Sequence, residues 1–175
     1  MGTGLLGLGQ AQSCGGLWMR WGVLVAIGTV AFGIAGIIAL VQRIDMTAVR
    51  PPGRAEEYVR AKVTRAAVRR RAAREQIPPP PADRYTSMSL AEGKAVYDSD
   101  CASCHGPDGQ TPTATGRGMF PAALPLVSDS VESYSDRELF SIVRDGVRFT
   151  GMPAFAGSET NDQIWDVVDY LRLLR

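Results

Sequence analysis

Histidine occurs once in this chain of 175 residues, at His105, and cysteine three times, at Cys14, Cys101 and Cys104. That supply argues against a structural zinc site, which normally takes four ligands from Cys and His. Three of these residues crowd into five positions, and Cys14 lies far upstream beyond a hydrophobic stretch. A dithiol redox pair calls for a βαβ setting, and no strand pattern flanks Cys101. The arginine-rich run at 60–74 has no interleaved aromatics, so it lacks the stacking partners of a nucleic-acid surface. Charge is missing altogether from residues 22–41.

What is present centres on Cys101-Ala102-Ser103-Cys104-His105. Two thiols three positions apart, followed at once by an imidazole, form the pattern of covalent haem attachment. Cys101 and Cys104 can form thioethers to the two vinyl groups of one haem c, and His105 can turn its imidazole onto the iron. With no second histidine, the sixth ligand must come from methionine, lysine or outside the chain. The methionines beyond residue 85 are Met88, Met119 and Met152. Met152 stands in Thr150-Gly151-Met152-Pro153, where Gly151 removes a side chain beside the porphyrin and Pro153 stiffens the loop. The 47 positions from His105 to Met152 leave enough chain to reach the opposite haem face. Met119, in Gly118-Met119-Phe120, is the rival and reads as loop or core packing. Met152 is therefore expected as the second metal ligand beside His105.

Residues 22–41 match one helical crossing of a bilayer core, roughly 30 Å at about 1.5 Å per residue. Trp18 and Trp21 suit an interfacial belt, and Gln42-Arg43 ends the span. Twenty residues are long for a cleaved signal, and no convincing small-residue cleavage site follows. Cys14 lacks the basic and apolar flanks of a lipoprotein box and reads as a free cysteine. Pro51-Pro52-Gly53 breaks the chain, and 54–76 reads as a helix with Val59, Val63 and Ala67 as its apolar stripe. Its charge admits two roles, a solvated spacer or an element docking on anionic lipid or a partner subunit. Prolines at 78–81 end it in a stiff extended segment.

The net charge of +1 hides an asymmetry. Residues 53–77 carry eight basic and three acidic side chains, whereas 85–175 carry seven basic and thirteen acidic. Three Ser/Thr-x-x-Glu/Gln boxes, at Ser89, Ser135 and Thr160, punctuate the acidic part and predict three helices. Gly146 is placed to close the second, and Ile164, Trp165, Val167 and Val168 form the apolar side of the third. The Gly/Pro-rich stretch at 106–135 is long for a small domain unless a large apolar disc supplies core.

Residues 87–175 resemble a class I cytochrome c. The resemblance rests on Gly93-Lys94-x-x-Tyr97, on Cys101 to Gly106, on Gly151-Met152-Pro153-Ala154-Phe155, and on Ile164-Trp165-x-x-Val168-x-Tyr170-Leu171-Arg172. It implies an all-α cytochrome c fold around one covalent haem, with the first and last helices of that domain crossing. It also implies a proline carbonyl, of Pro121 or Pro125, accepting from His105 Nδ1–H. The expected layout is an N-terminal cytoplasmic segment at 1–21 and a transmembrane anchor at 22–41. A basic helical stem with its polyproline linker follows at 42–84, and the cytochrome domain at 85–175. The charge rule for loops would leave the arginines in the cytoplasm, but haem attachment in this family is extracytoplasmic. The specific motif outweighs the statistical rule, giving a single-pass protein of a bacterial cytoplasmic membrane with a periplasmic haem domain. A closed Met/His iron suits an electron carrier rather than an enzyme, a gas sensor or a peroxidase. Its partners would be membrane redox complexes and the lipid bilayer, with no nucleic acid. The alternative is a bound electron-transfer subunit of a larger respiratory, photosynthetic or dehydrogenase complex.

Overall fold

The computed structural model describes residues 15–43 and 52–174, with side chains described from residue 20 onward. Cys14 and most of the N-terminal segment lie outside the described residues. Among the described residues every regular element is helical. The chain divides into two compact units, Met1–Thr47 and Ala48–Arg175.

The first unit holds α1, Gly15–Val41. Its stretch Arg20–Val41 has a mean hydropathy of 2.6 and none of it is buried within the protein. By length and composition it is long and apolar enough to cross a membrane.

The second unit contains α2 (Arg54–Arg74), α3 (Ser87–Val96), α4 (Ala102–His105), α5 (Ala114–Gly118), α6 (Asp129–Glu132), α7 (Asp136–Asp145) and α8 (Asn161–Leu173). The boxes at Ser135/Glu138 and Thr160/Gln163 are both formed, and Gly146 at φ 66° ends α7. The first helix starts a turn earlier than its Ser89 box suggests. Thr86 is its N-cap, accepting from Ser89 N–H at 3.1 Å, and Ser89 Oγ bonds back to the Thr86 carbonyl. The Ser89 side chain is buried on that helix, which it could not be as an exposed cap.

Helices α3 and α8 cross at Gly93. A Cβ there would stand 2.1 Å from the Asp166 carbonyl oxygen and 3.1 Å from Tyr170 Cβ. The crossing is pinned by Tyr97 on Tyr170, with ring centroids 5.3 Å apart. Gly93→Val is therefore expected to cost roughly 1–3 kcal/mol or more by overpacking against backbone. That outweighs the ~1 kcal/mol by which a glycine weakens a helix. Thermal unfolding would show a midpoint lowered by several degrees.

Asp166, at the same crossing, is pushed up to about 6, first by burial and then by Asp169, Asp162, Asp83 and Glu92. Its folded value exceeds the unfolded value of about 3.9. The stability linked to its proton is therefore complete below about pH 4 and lost as pH rises through about 6. Asp166→Asn should raise the melting midpoint at pH 7.5 by a few degrees and leave it unchanged at pH 4. The carboxylate is partly open to water, which keeps this effect to about 0.5–1 kcal/mol.

The stem is not a free spacer. Val68 and Ala72 of α2 are buried, and Ala72 and Ile77 join Leu139, Phe140, Val143 and Trp165 in one apolar cluster. The expected stripe has the right period and the wrong phase: Val59 and Val63 are exposed, while the face through Thr64, Val68 and Ala72 turns inward. Arginines on the two helices cap each other's carbonyls. Arg71 donates to Ser141 Oγ (2.8 Å), the Ser141 carbonyl (2.9 Å) and the Gly146 carbonyl (3.2 Å). Arg137 of α7 donates to the Ala72 (2.7 Å) and Glu75 (2.6 Å) carbonyls. Arg84, in the linker, pairs with the buried Asp169 and with Asp136. Packing thus crosses residue 85, because the smaller domain alone would leave Phe140 and Trp165 uncovered.

Candidate functional site

The chain enters the site through a π-helical turn, Tyr97–Cys101, which joins α3 to α4. Such turns are rare and re-aim the residues that follow them. Short helix α4 carries Cys104 and His105 and ends at Gly106, whose φ of 84° is a left-handed conformation that favours glycine. Tyr97, fully buried, donates its hydroxyl to the Gly106 carbonyl at 2.5 Å. Thr113 holds the other side: its hydroxyl donates to the Ser103 carbonyl (2.7 Å), its N–H to the Cys104 carbonyl (3.1 Å). Gly116 lets α5 approach, since a Cβ there would lie 2.1 Å from the Cys104 carbonyl oxygen.

His105 Nδ1 bonds the Leu124 carbonyl at 2.9 Å. The partner is neither Pro121 nor Pro125. Pro125 biases the residue before it to extended backbone, and it is that residue's carbonyl which meets the ring. Burial lowers the pKa of His105, opposed by the bond to Leu124. The ring is thus neutral at physiological pH, with its proton on Nδ1 and Nε2 unprotonated.

Met152 lies on the loop between α7 and α8, and this loop is tied at both ends. Thr150 Oγ1 accepts from Met152 N–H (3.1 Å) and donates to the Val147 carbonyl (2.6 Å), while Val147 N–H reaches the Met152 carbonyl (3.3 Å). Beyond it, Phe155 and Ala156 N–H groups bond the Arg144 carbonyl at the end of α7. Gly146 makes the return possible, because a Cβ there would meet the Pro153 carbonyl at 2.6 Å. At Gly151 the space a side chain would need is occupied by Met119, with Sδ 2.4 Å from the Cβ position. Met88 is 75% exposed, so it is no part of the site.

Cys101, Cys104, His105, Met119 and Met152 all line one cavity. Its remaining wall is largely apolar, with Leu124, Leu126, Val131, Leu139, Ile142 and Val143 among the contributors. Burial, then the nearby Asp100, pushes the Cys101 thiol up to about 12. A reactive dithiol has the opposite character, a lowered thiol pKa. Sequence reasoning passed over four contributors. Thr150 has a recognisable signal, a hydroxyl two residues before the methionine in a turn. The Leu124 carbonyl has only the following proline. The stem residues Arg60 and Thr64, which also line the cavity, have no local signal.

Residues 89–171 match the family described as cytochrome c oxidase, cbb3-type, subunit III. Cytochrome c6 of Synechococcus elongatus is 33% identical over 85 residues, covering 47% of this chain and 86% of that protein. Cytochrome c6 of Thermosynechococcus vestitus is 32% identical over 88 residues, 49% of this chain and 70% of the relative. This chain belongs to the class I c-type cytochromes. Cytochrome c-554(547) of Halothiobacillus neapolitanus is 44% identical over 43 residues, 25% of this chain, and the match spans only 42% of that relative's length. A chain of the Kuenenia stuttgartiensis reducing HAO-like protein complex aligns with a TM-score of 0.46 at 22% identity, covering 59% of this chain and 54% of that one.

The cofactor of this class I c-type cytochrome is haem c, covalently held and carrying iron. The cavity suits it on its own chemistry. It offers two thiols and one imidazole from α4 and its entry turn, thioether sulfurs from two other loops, and an apolar wall between. Among the described residues no three or more His, Cys, Asp or Glu side chains are grouped to hold a bare metal ion.

Proposed function

We propose that the protein is a membrane-tethered monohaem electron carrier. In this reading Cys101 and Cys104 would hold haem c covalently, and His105 Nε2 and Met152 Sδ would ligate its iron. The observation that carries it is the single cavity into which two thiols, the fixed imidazole and the Met152 loop converge. Held there, the group would supply one-electron chemistry. The chain's part is to hold its ligands still and keep water out. Leu124 fixes the imidazole as an outer-shell partner does, and Thr150 fixes the methionine loop. The apolar wall and the thioether both favour the ferrous state and raise the potential. Methionine rather than Lys or an external ligand is supported by the loop's ties on both sides of Met152.

Helix α1 supports a retained anchor, with the haem domain on the extracytoplasmic side, where this kind of haem attachment takes place. A tether raises the effective concentration near membrane partners. The α2 helix adds no reach of its own, because it is packed on the domain. Protease protection in sealed vesicles tests the topology: the domain is expected outside the cytoplasm, and a cytoplasmic domain would refute it.

The acidic residues of 85–175 that the stem arginines do not pair support a partner with a basic docking rim. Electron transfer to a basic soluble acceptor is expected to slow several-fold between about 10 and 150 mM salt as charges are screened. Stopped-flow rates measure this, and rates independent of salt would exclude steering by this surface.

The matched family, named for an oxidase subunit, supports the second reading of a fixed subunit in a larger redox complex. Gentle detergent extraction separates the two, since a carrier comes away alone and a subunit co-purifies in fixed ratio.

A further inference from the structure

Haem c brings two propionate carboxylates to a cavity whose wall is apolar. Among the described residues that line it, Arg60 is the one lysine or arginine. Arg60 belongs to α2, the stem helix, and its Nε is closed off from water without a hydrogen-bond partner. A buried guanidinium N–H left without a partner is costly, so this atom is suited to an acceptor supplied by a ligand. Its neighbours on the chain do not provide one. The Glu57 carboxylate is 3.7 Å from Nη2, not from Nε, and its side chain is 57% exposed. Tyr134, which feels the charge of Arg60, is a neutral phenol raised further by burial. Glu138 is engaged by the Ser135 cap and Arg69, and Arg65 stacks on Tyr134. Asp100 lines the same cavity beside Cys101, and Arg60 Nε makes no hydrogen bond to it.

We infer that Arg60 is the positioning partner of a haem propionate, so that the stem helix closes the acidic edge of the cofactor. This rests on the proposed reading that haem c occupies the cavity. The chemistry is a charge-assisted bond from guanidinium N–H to carboxylate, the pairing arginine makes best. Its consequence is electrostatic. A positive charge held beside the haem opposes the extra charge of the ferric state and keeps the propionate ionised.

The test is the midpoint potential of the full-length protein in detergent, titrated against pH, with haem content read from the haemochrome spectrum. The wild type is expected to show a flat profile from pH 5.5 to 8. Arg60→Gln should lower the potential at pH 8 and make it rise as pH falls and the freed propionate takes up a proton. Arg60→Leu, also neutral, provides the same comparison if the glutamine variant does not load haem. Arg60→Lys should restore most of the potential, and Glu57→Gln should leave the profile untouched. Neutral variants that load haem and follow the wild type at every pH would overturn the inference, as would Glu57→Gln reproducing their shift. A wild-type protein without covalent haem would instead overturn the proposed function.

Discussion

Met152→Ala is expected to open the iron. The variant should keep covalent haem, because Cys101, Cys104 and His105 are held by α4, Thr113 and Leu124, none of which touches the methionine loop in the structure's hydrogen bonds. It should lose the sulfur-to-iron charge-transfer absorption of the ferric state. Its potential should fall by about 0.2 V or more, well inside the roughly 0.8 V that axial ligands command, because a thioether favours ferrous iron and water does not. Met119→Ala is the control. Met119 fills the space beside Gly151, so its loss should loosen packing by about 2–4 kcal/mol and leave the charge-transfer band in place. If the band vanished in Met119→Ala and survived in Met152→Ala, the two methionines would exchange roles.

Arg71→Ala is expected to strip the stem from the domain. Arg71 donates to Ser141 Oγ and to the Ser141 and Gly146 carbonyls, and lies 3.5 Å from Asp145. Ser141 is fully buried, so its carbonyl cannot turn to water. Charge-assisted bonds contribute about 1.5–3 kcal/mol each, and buried groups left without partners add to the loss. A total of about 3–5 kcal/mol is a large share of the 5–15 kcal/mol that holds an ordinary domain together. Unfolding should begin about 10 °C or more below wild type, at about 3–5 °C per kcal/mol for a unit the size of Ala48–Arg175. Limited proteolysis should cut first between Arg54 and Arg74. Arg70→Ala, one position away with only a bond to the Ala66 carbonyl of its own helix, should change little.

These two residues also show what a sequence can and cannot disclose. Met152 stood out because its chemistry is local: glycine before it, proline after it, and a fixed motif upstream. The caps at Ser135 and Thr160 were legible for the same reason, since a capping box is written within four residues. The cap at Thr86 was misplaced because Ser89 and Glu92 spell a complete box three residues later, and only the burial of Ser89 rules it out. The docking of α2 could not be read at all. Arg71 looks like its neighbours Arg69 and Arg70, and its partners Ser141 and Gly146 lie 70 and 75 positions away. Val59 and Val63 gave the stem a period, but which face turns inward depends on where α7 stands. The carbonyl that meets His105 belongs to Leu124 for a related reason: any residue type has a carbonyl, so only the backbone path selects it.

Carbon monoxide added to the reduced wild-type protein tests the central claim most directly, since a carrier whose own chain fills both axial positions leaves no place for it. The expected result is a ferrous spectrum unchanged under carbon monoxide, while Met152→Ala forms the adduct at once. A wild-type adduct at neutral pH would contradict the account and point to an open iron that binds or transforms a ligand.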